Sequence, residues 1–314
     1  MSESRLAAWR RRSASSPPVQ EGRPIWSREG RDWPLREASR FIEAGGLRWH
    51  VQVLGRGPVA LLLHGTGAAT HSWRGLAPLL AGSFTVVAPD LPGHGFTAMP
   101  ATAGLSLPGM ARGLRDLLGV LGMSPDLAIG HSAGAAILLR MGIDGTIAPR
   151  RIVSLNGALL PLGGMAGHLF SPLARLVATT SLVPRLFAWH VRADSKVVPR
   201  LIADTGSTLD GRGIELYARL ARCPGHVAGA FGMMANWDLQ PLASELPGLR
   251  TPLTLVVGGG DRTIRPSEAR RARVLLPSAE EVRLPGLGHL AHEERPAMVA
   301  DVVMARQPTV AGAG

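Results

Sequence analysis

The sequence is poor in several things that usually announce a function. It has one cysteine, Cys223, so no intramolecular disulfide can form, and a reducing, cytoplasmic setting is expected. It has one lysine, Lys196; its cationic charge is otherwise arginine. No apolar run approaches the roughly 18 residues that would suggest a membrane-spanning helix. Arg10, Arg11 and Arg12 are followed by "SASSPPVQ" and not by an apolar stretch, which argues against a signal peptide. No zinc-finger, helix-turn-helix or ribonucleoprotein signature accompanies the net charge of +11, so nucleic acid is not an expected partner. That charge suits an anionic surface, an acidic partner or a carboxylate ligand, and equally a genome rich in arginine codons. His64, His71, His94 and Asp90 lack any metal-ligand spacing, and no metal or cofactor is expected. Internal repeats are also missing.

What is present divides the 314 residues into parts. Residues 1–40 carry Arg, Ser, Pro and Gly with Trp9, Trp26 and Trp33 interspersed, and read as an arm. Tryptophans among arginines make peripheral membrane contact one reading of it; packing back on the body is the other. From Phe41 apolar strand patterns alternate with helical ones. "RFIEAGGLRWHVQVLG" reads as two strands around Gly45-Gly46, followed by "PVALLLHG", "FTVVAPD", "LAIGH", "RIVSLNG", "PLTLVVGG" and "EEVRLPG". Continuous apolar strands alternating with helices specify an α/β fold with a mostly parallel, eight-stranded sheet. Ser72 is expected to cap a helix running to Leu80, and Ser106 one carrying Met110, Leu114, Leu117, Leu118 and Leu121 on a single stripe. Residues 158–235 show only short helical stretches broken by prolines and read as a helical lid inserted after strand 6. Residues 41–157 and 236–306 form the two parts of the core, and 307–314 a tail.

The chemistry is concentrated around "GHSAG". A random Gly-x-Ser-x-Gly is expected roughly 0.3 times in a chain of this composition, so the five residues alone decide nothing. Their setting does more. A short buried strand precedes Ser132 and an Ala/Leu-rich helix follows it, so the serine sits on a cramped turn that Gly130 and Gly134 make room for. A serine hydroxyl needs a base, and the base a carboxylate to orient it. Asp261 in "GGGD" and His289 in "GLGH" each follow a later strand, in the order Ser, acid, His. Backbone N–H groups of Ala133 and Thr66 are the expected oxyanion donors. Alternatives stay open: Asp90 as acid, His292 as base, Asp261 as a mere helix cap. Asn156 ends strand 6, where an acid would also fit, but it cannot carry the charge.

Together "HGTG", "DLPGHG", "GHSAG", "GGGD" and "GLGH" resemble the α/β-hydrolase superfamily over about residues 41–306. Within it, "LLLHGTGAATHSWRGLAPLL", "SLNGALLPLGGMAG", "FSPLARL" and "GMMANWDL" resemble the BchO group, described as magnesium-chelatase accessory proteins of bacteriochlorophyll biosynthesis. The resemblance implies a Ser132–His289–Asp261 serine hydrolase of that pathway. It also implies a hydrophobic substrate such as a tetrapyrrole ester and association with magnesium chelatase, at or near the photosynthetic membrane. His131, Trp73, Phe231, Met233, Met234 and Trp237 are the candidate substrate contacts, with Leu169, Phe170 and Leu176 among the other apolar lid residues. A non-catalytic porphyrin-binding or chelatase-assisting protein, and a general carboxylesterase or lipase, are the alternatives. Dehalogenase and epoxide hydrolase chemistry is disfavoured, since both use an aspartate where this chain has Ser132.

Overall fold

A computed structural model describes residues 22–161, 180 and 182–305. The first 21 residues, the tail, and Leu169, Phe170 and Leu176 lie outside the described residues. Eight strands form one sheet in the order β1-β2-β4-β3-β5-β6-β7-β8. They are β1 (Ser39–Ala44), β2 (Leu47–Leu54), β3 (Val59–Leu63), β4 (Thr85–Pro89), β5 (Leu127–His131), β6 (Arg151–Leu155), β7 (Leu253–Gly258) and β8 (Glu280–Leu284). β1–β2 and β2–β4 pair antiparallel; every other neighbouring pair is parallel. The order reverses between β3 and its neighbours β4 and β5, and ligands of such sheets lie at the carboxyl ends beside that reversal.

The strands are apolar throughout because both faces are covered. Leu61, Leu63, Ala128, Ile152 and Leu255 pack on one side, against α2 (Leu107–Leu121) and α3 (Ala133–Ile143). Ala60, Leu62, Leu127, Ile129, Val153 and Val256 pack on the other, against α1 (Leu76–Leu80) and the terminal helix Pro296–Ala305. Alternate residues of one strand thus serve opposite layers. Each fully buried leucine contributes about 1.5–3 kcal/mol. Ser106 caps α2 as its sequence predicts, its Oγ accepting from Gly109 N at 3.2 Å, and Gly122 ends the helix at φ +61°. Ser72 does not cap α1. It lies inside a one-turn 3-10 segment, Thr70–Trp73, and its Oγ donates back to Ala69 O, so the hydroxyl is already used.

The rest of the helices, in chain order, are α4 (Leu182–Ala193), α5 (Val197–Asp204), α6 (Gly211–Ala221), α7 (Pro224–Ala235), α8 (Gln240–Glu245), α9 (Pro266–Leu275), α10 (Ala291–Glu294) and α11 (Pro296–Ala305). α4 to α7 fall in the stretch between β6 and β7 that reads as a lid. Helix α7 seats on the turn after β4 by direct backbone contact: a Cβ on Gly229 would lie 1.9 Å from Gly93 O. From Gly22 onward the N-terminal segment packs on the body. The Arg23 guanidinium donates to the carbonyls of Gly93, His94, Gly95, Thr97 and Gly225, tying that turn to α7. Trp33 is buried and its Nε1 donates to Thr70 Oγ1. No described helix is long and apolar enough to cross a membrane.

One glycine of the serine turn carries a large steric load. A Cβ on Gly134 would meet Leu63 O at 2.2 Å and His64 O at 2.7 Å, both backbone atoms of the neighbouring strand end. Gly134→Ala is therefore expected to destabilise the fold by about 3 kcal/mol, since backbone cannot yield as a side chain can. A shift in denaturation midpoint at unchanged slope measures it.

Candidate active site

Ser132 stands between β5 and α3 at φ +51°, ψ −117°, a conformation that strains any residue other than glycine by about 1–3 kcal/mol. The turn is held on both sides. Ser132 N donates to Leu155 O at 3.0 Å, and Ser132 O accepts from Ala135 N and Ala158 N. Gly130 lets α3 return over the strand: a Cβ there would lie 2.5 Å from Ala135 Cα. The serine side chain is partly exposed and its hydroxyl has no hydrogen-bond partner among the described residues.

Asp261 and His289 meet. His289 Nδ1 lies 2.8 Å from Asp261 Oδ2, with both residues buried. Asp261 is over-determined. Its Oδ1 accepts from Thr263 N and Ile264 N at 2.8 and 2.9 Å, and its Oδ2 also accepts from Asn156 Nδ2 at 2.7 Å. Asn156, itself at φ +47°, donates from the same Nδ2 to Gly288 O and accepts from Gly258 N with Oδ1. A neutral amide after β6 therefore orients the carboxylate after β7. Asp261 does not cap α9, whose N-cap position is Arg265 with no side-chain cap bond; its Oδ1 organises the turn ahead of the helix and its Oδ2 faces the imidazole.

The rival residues are engaged elsewhere. Asp90 accepts from Thr70 N, Phe96 N and His50 Nδ1 and so builds the "DLPGHG" turn. His292 is buried between the Trp73 and His131 rings, at 4.7 and 4.5 Å, and neither of its nitrogens has a partner among the described residues. His131 donates from Nε2 to His289 O at 3.0 Å. Burial, reinforced by the neighbouring His292 and His289, holds its pKa well below the ordinary value.

Opposite Ser132, the turn after β3 comes close enough that a Cβ on Gly65 would lie 3.0 Å from Ser132 Cβ. His64 sets the plane of its first peptide. Leu91 N donates to His64 Nε2 at 2.9 Å, so the proton sits on Nδ1, which donates to Gly65 O at 2.8 Å. In a trans peptide the N–H points opposite to the C=O, so this bond fixes the direction of Thr66 N–H. No described group accepts from Thr66 N or Ala133 N.

Residues 60–302 match the model of the Alpha/beta hydrolase family. This chain belongs to the alpha/beta hydrolase family. Within it, the chain is 40% identical over 268 residues to the magnesium-chelatase 30 kDa subunit of Rhodobacter capsulatus, covering 83% of this chain and 92% of that one. The likeness to that group read from the motifs is thereby borne out. A soluble epoxide hydrolase of Corynebacterium is 27% identical over 280 residues, covering 82% and 93% of the two chains. Among solved structures, an alpha/beta hydrolase fold protein from Burkholderia ambifaria superposes with a TM-score of 0.72 at 25% identity, over 86% of this chain and 98% of that one.

The sequence-predicted contacts of this alpha/beta hydrolase do not all face one open surface. Trp73 is fully buried in the layer with Leu76 and Leu80 and lines no open surface. Met233 is fully buried with its Sδ 3.4 Å from Thr66 Oγ1. Phe231 stacks edge-on to Phe187, Met234 is exposed, and Trp237 packs on the core. A cleft lined by Asn156, Leu159, Ile264, Arg265 and Ala269 opens beside the acid turn, and none of these contacts borders it.

What the sequence reading missed is the support supplied by the segment between β6 and β7. Thr205 O accepts from Arg262 N and from His289 N, at 3.1 and 3.4 Å. Ser207 Oγ accepts from Leu290 N at 2.9 Å, and a Cβ on Gly288 would lie 2.3 Å from Gly206 C. One short turn thus braces both the acid and the histidine. Its only sequence signal is a glycine pair that must approach backbone to backbone.

Proposed function

We propose that this chain is a serine hydrolase acting on a carboxylic ester, with Ser132 as nucleophile, His289 as base and Asp261 as its orienting acid. The observation that carries the reading is the buried His289 Nδ1–Asp261 Oδ2 bond of 2.8 Å beside a strained serine turn. In this reaction Ser132 Oγ attacks the ester carbonyl while its proton passes to His289 Nε2. Asp261 accepts from Nδ1–H and stabilises the imidazolium without taking the proton. The tetrahedral oxyanion is received by Thr66 N–H and Ala133 N–H, neither of which is spent in the resting protein. His289 then gives the proton to the leaving alcohol as the C–O bond breaks. Water, deprotonated by the same histidine, hydrolyses the acyl-enzyme and regenerates Ser132.

The likeness to the Rhodobacter capsulatus protein supports a substrate from the magnesium-chelatase stage of pigment synthesis, a hydrophobic tetrapyrrole ester being the fitting class. The cellular setting proposed is cytoplasmic, with the N-terminal arm as a peripheral contact to the photosynthetic membrane. A second reading is a non-catalytic chelatase partner. It is favoured by the name of that relative and by a Ser132 hydroxyl without a bond to His289, although such bonds often tighten only with substrate.

An alkyl fluorophosphonate is expected to label the protein at a single peptide containing Ser132. In a strain lacking the gene, the wild-type chain should restore pigment and Ser132→Ala should not. Labelling elsewhere, or full rescue by Ser132→Ala, defeats the hydrolase reading, and rescue favours the partner reading.

A further inference from the structure

His226 lies on α7, outside every motif that carries the proposed chemistry, and it is buried. Its two nitrogens are both used, on two different turns. Gly95 N lies 3.0 Å from Nδ1, and Gly67 O lies 3.1 Å from Nε2. A backbone N–H can only donate and a carbonyl can only accept, so Nδ1 is bare and Nε2 carries the proton. Burial, aided by the neighbouring Arg23 guanidinium, lowers its pKa to about 3, so the ring stays neutral.

This arrangement repeats that of His64 from the opposite side. His64 accepts from Leu91 N and donates to Gly65 O; His226 accepts from Gly95 N and donates to Gly67 O. Two neutral imidazoles therefore join the turn after β4 to the turn after β3, one on each side of Thr66. Helix α7 also reaches the same turn through Met233, whose Sδ accepts from Thr66 Oγ1. The helix cannot slide on its seat, because Gly229 rests on Gly93 backbone to backbone.

We infer that His226 is a positioning residue for the oxyanion-binding turn, so that helix α7 forms part of the catalytic apparatus rather than only its cover. The inference rests on the serine-hydrolase reading. Gly67 is free to adopt other conformations at φ +76°, and without His226 nothing among the described residues holds its carbonyl. His64 would still fix the plane of the Thr66 N–H, but the turn would be held on one side of Thr66 only, so the donor could shift as a whole away from the developing oxyanion, and preorganisation of its position is what lowers the barrier.

The test compares wild type with His226→Leu, His226→Gln and His226→Asn in the full chain. Glutamine can present an acceptor to Gly95 and a donor to Gly67; leucine can present neither, and asparagine is too short to span both. With a nitrophenyl ester and active-site titration, His226→Leu is expected to lower kcat per titrated serine on the order of 30-fold with KM within about threefold. The Ki of a trifluoromethyl ketone, whose adduct oxygen occupies the oxyanion position, should rise by the same factor. His226→Gln should recover to within about fivefold of wild type. If His226→Leu does not fold, His226→Asn carries the comparison. Wild-type kcat per titrated site in the folded leucine or asparagine variant overturns the inference, as does a glutamine variant no better than leucine. A wild-type protein that no fluorophosphonate labels defeats the hydrolase reading and this inference together; a labelled wild type with an equally fast His226→Leu defeats this inference alone.

Discussion

Ser132→Ala is expected to lower ester hydrolysis by about 10⁴-fold or more while leaving the denaturation midpoint nearly unchanged. On the proposed serine-hydrolase reading, the size follows from the way such a set acts as a unit: without the nucleophile, His289 and Asp261 would have nothing to activate, and only binding and the oxyanion donors would remain. The unchanged midpoint follows from the backbone. Alanine keeps the Cβ that strains the turn at φ +51° and loses a hydroxyl that has no partner among the described residues. Ser132→Gly makes the informative companion. It should be equally inactive yet more stable by about 1 kcal/mol or more, because glycine relieves that strain. Steady-state hydrolysis and urea denaturation of the two variants check both halves. Retained hydrolysis in either variant would falsify the role of Ser132, and a less stable glycine variant would contradict the strain.

The second large effect concerns pH. Burial holds His64, His71, His94, His131, His226 and His292 below their ordinary pKa in the folded protein. Once unfolded, each takes up a proton near pH 6.5. The unfolded state therefore binds more protons below that pH, and stability rises with pH and falls as pH drops. Above about pH 7 the contribution is fully present. His226 and His292, both held at about 3, each cost about 1 kcal/mol between pH 6.5 and 5.5, and the other four act in the same direction. A urea midpoint that falls steadily from pH 8 through 6.5 to 5.5 is the expected result. Equal midpoints at the three values would contradict it. His71 offers a direct control. It stacks against Trp33 and Tyr217, and neither of its nitrogens has a partner among the described residues. His71→Phe should fill the same space and raise the pH 5.5 midpoint relative to wild type.

The fold was legible because its strands are buried on both faces. Leu61, Leu62 and Leu63 can be continuous only where helices cover both layers, and that pattern places the serine turn, Asp261 and His289 at one sheet edge. The α2 cap at Ser106 was legible because its chemistry is local. Ser72 misled for the same reason: a serine before an apolar run satisfies the cap pattern, yet its hydroxyl finds Ala69 O one turn earlier. Contacts between distant segments left little trace. Thr205, Ser207 and His226 act on turns that lie far from them along the chain. The available clue was glycine inside a helix: Gly225, Gly229 and Gly232 weaken α7 as a helix, and such a cost is tolerated where a neighbour must come close, here the Arg23 side chain, the Gly93 backbone and the Leu105 side chain in turn.

Arg23 has a consequence for how the chain responds to proteases. Its guanidinium is shared among five backbone carbonyls on two separate segments, so the peptide at 22–38 is a strap across the body and not a trailing end. Cleavage ahead of Gly22 leaves that strap fastened. Cleavage just after it, between Arg23 and Trp33, severs the fastening and exposes carbonyls that no other described side chain satisfies. The width of the protein's safe trimming margin is therefore set by one arginine, well before the first strand begins.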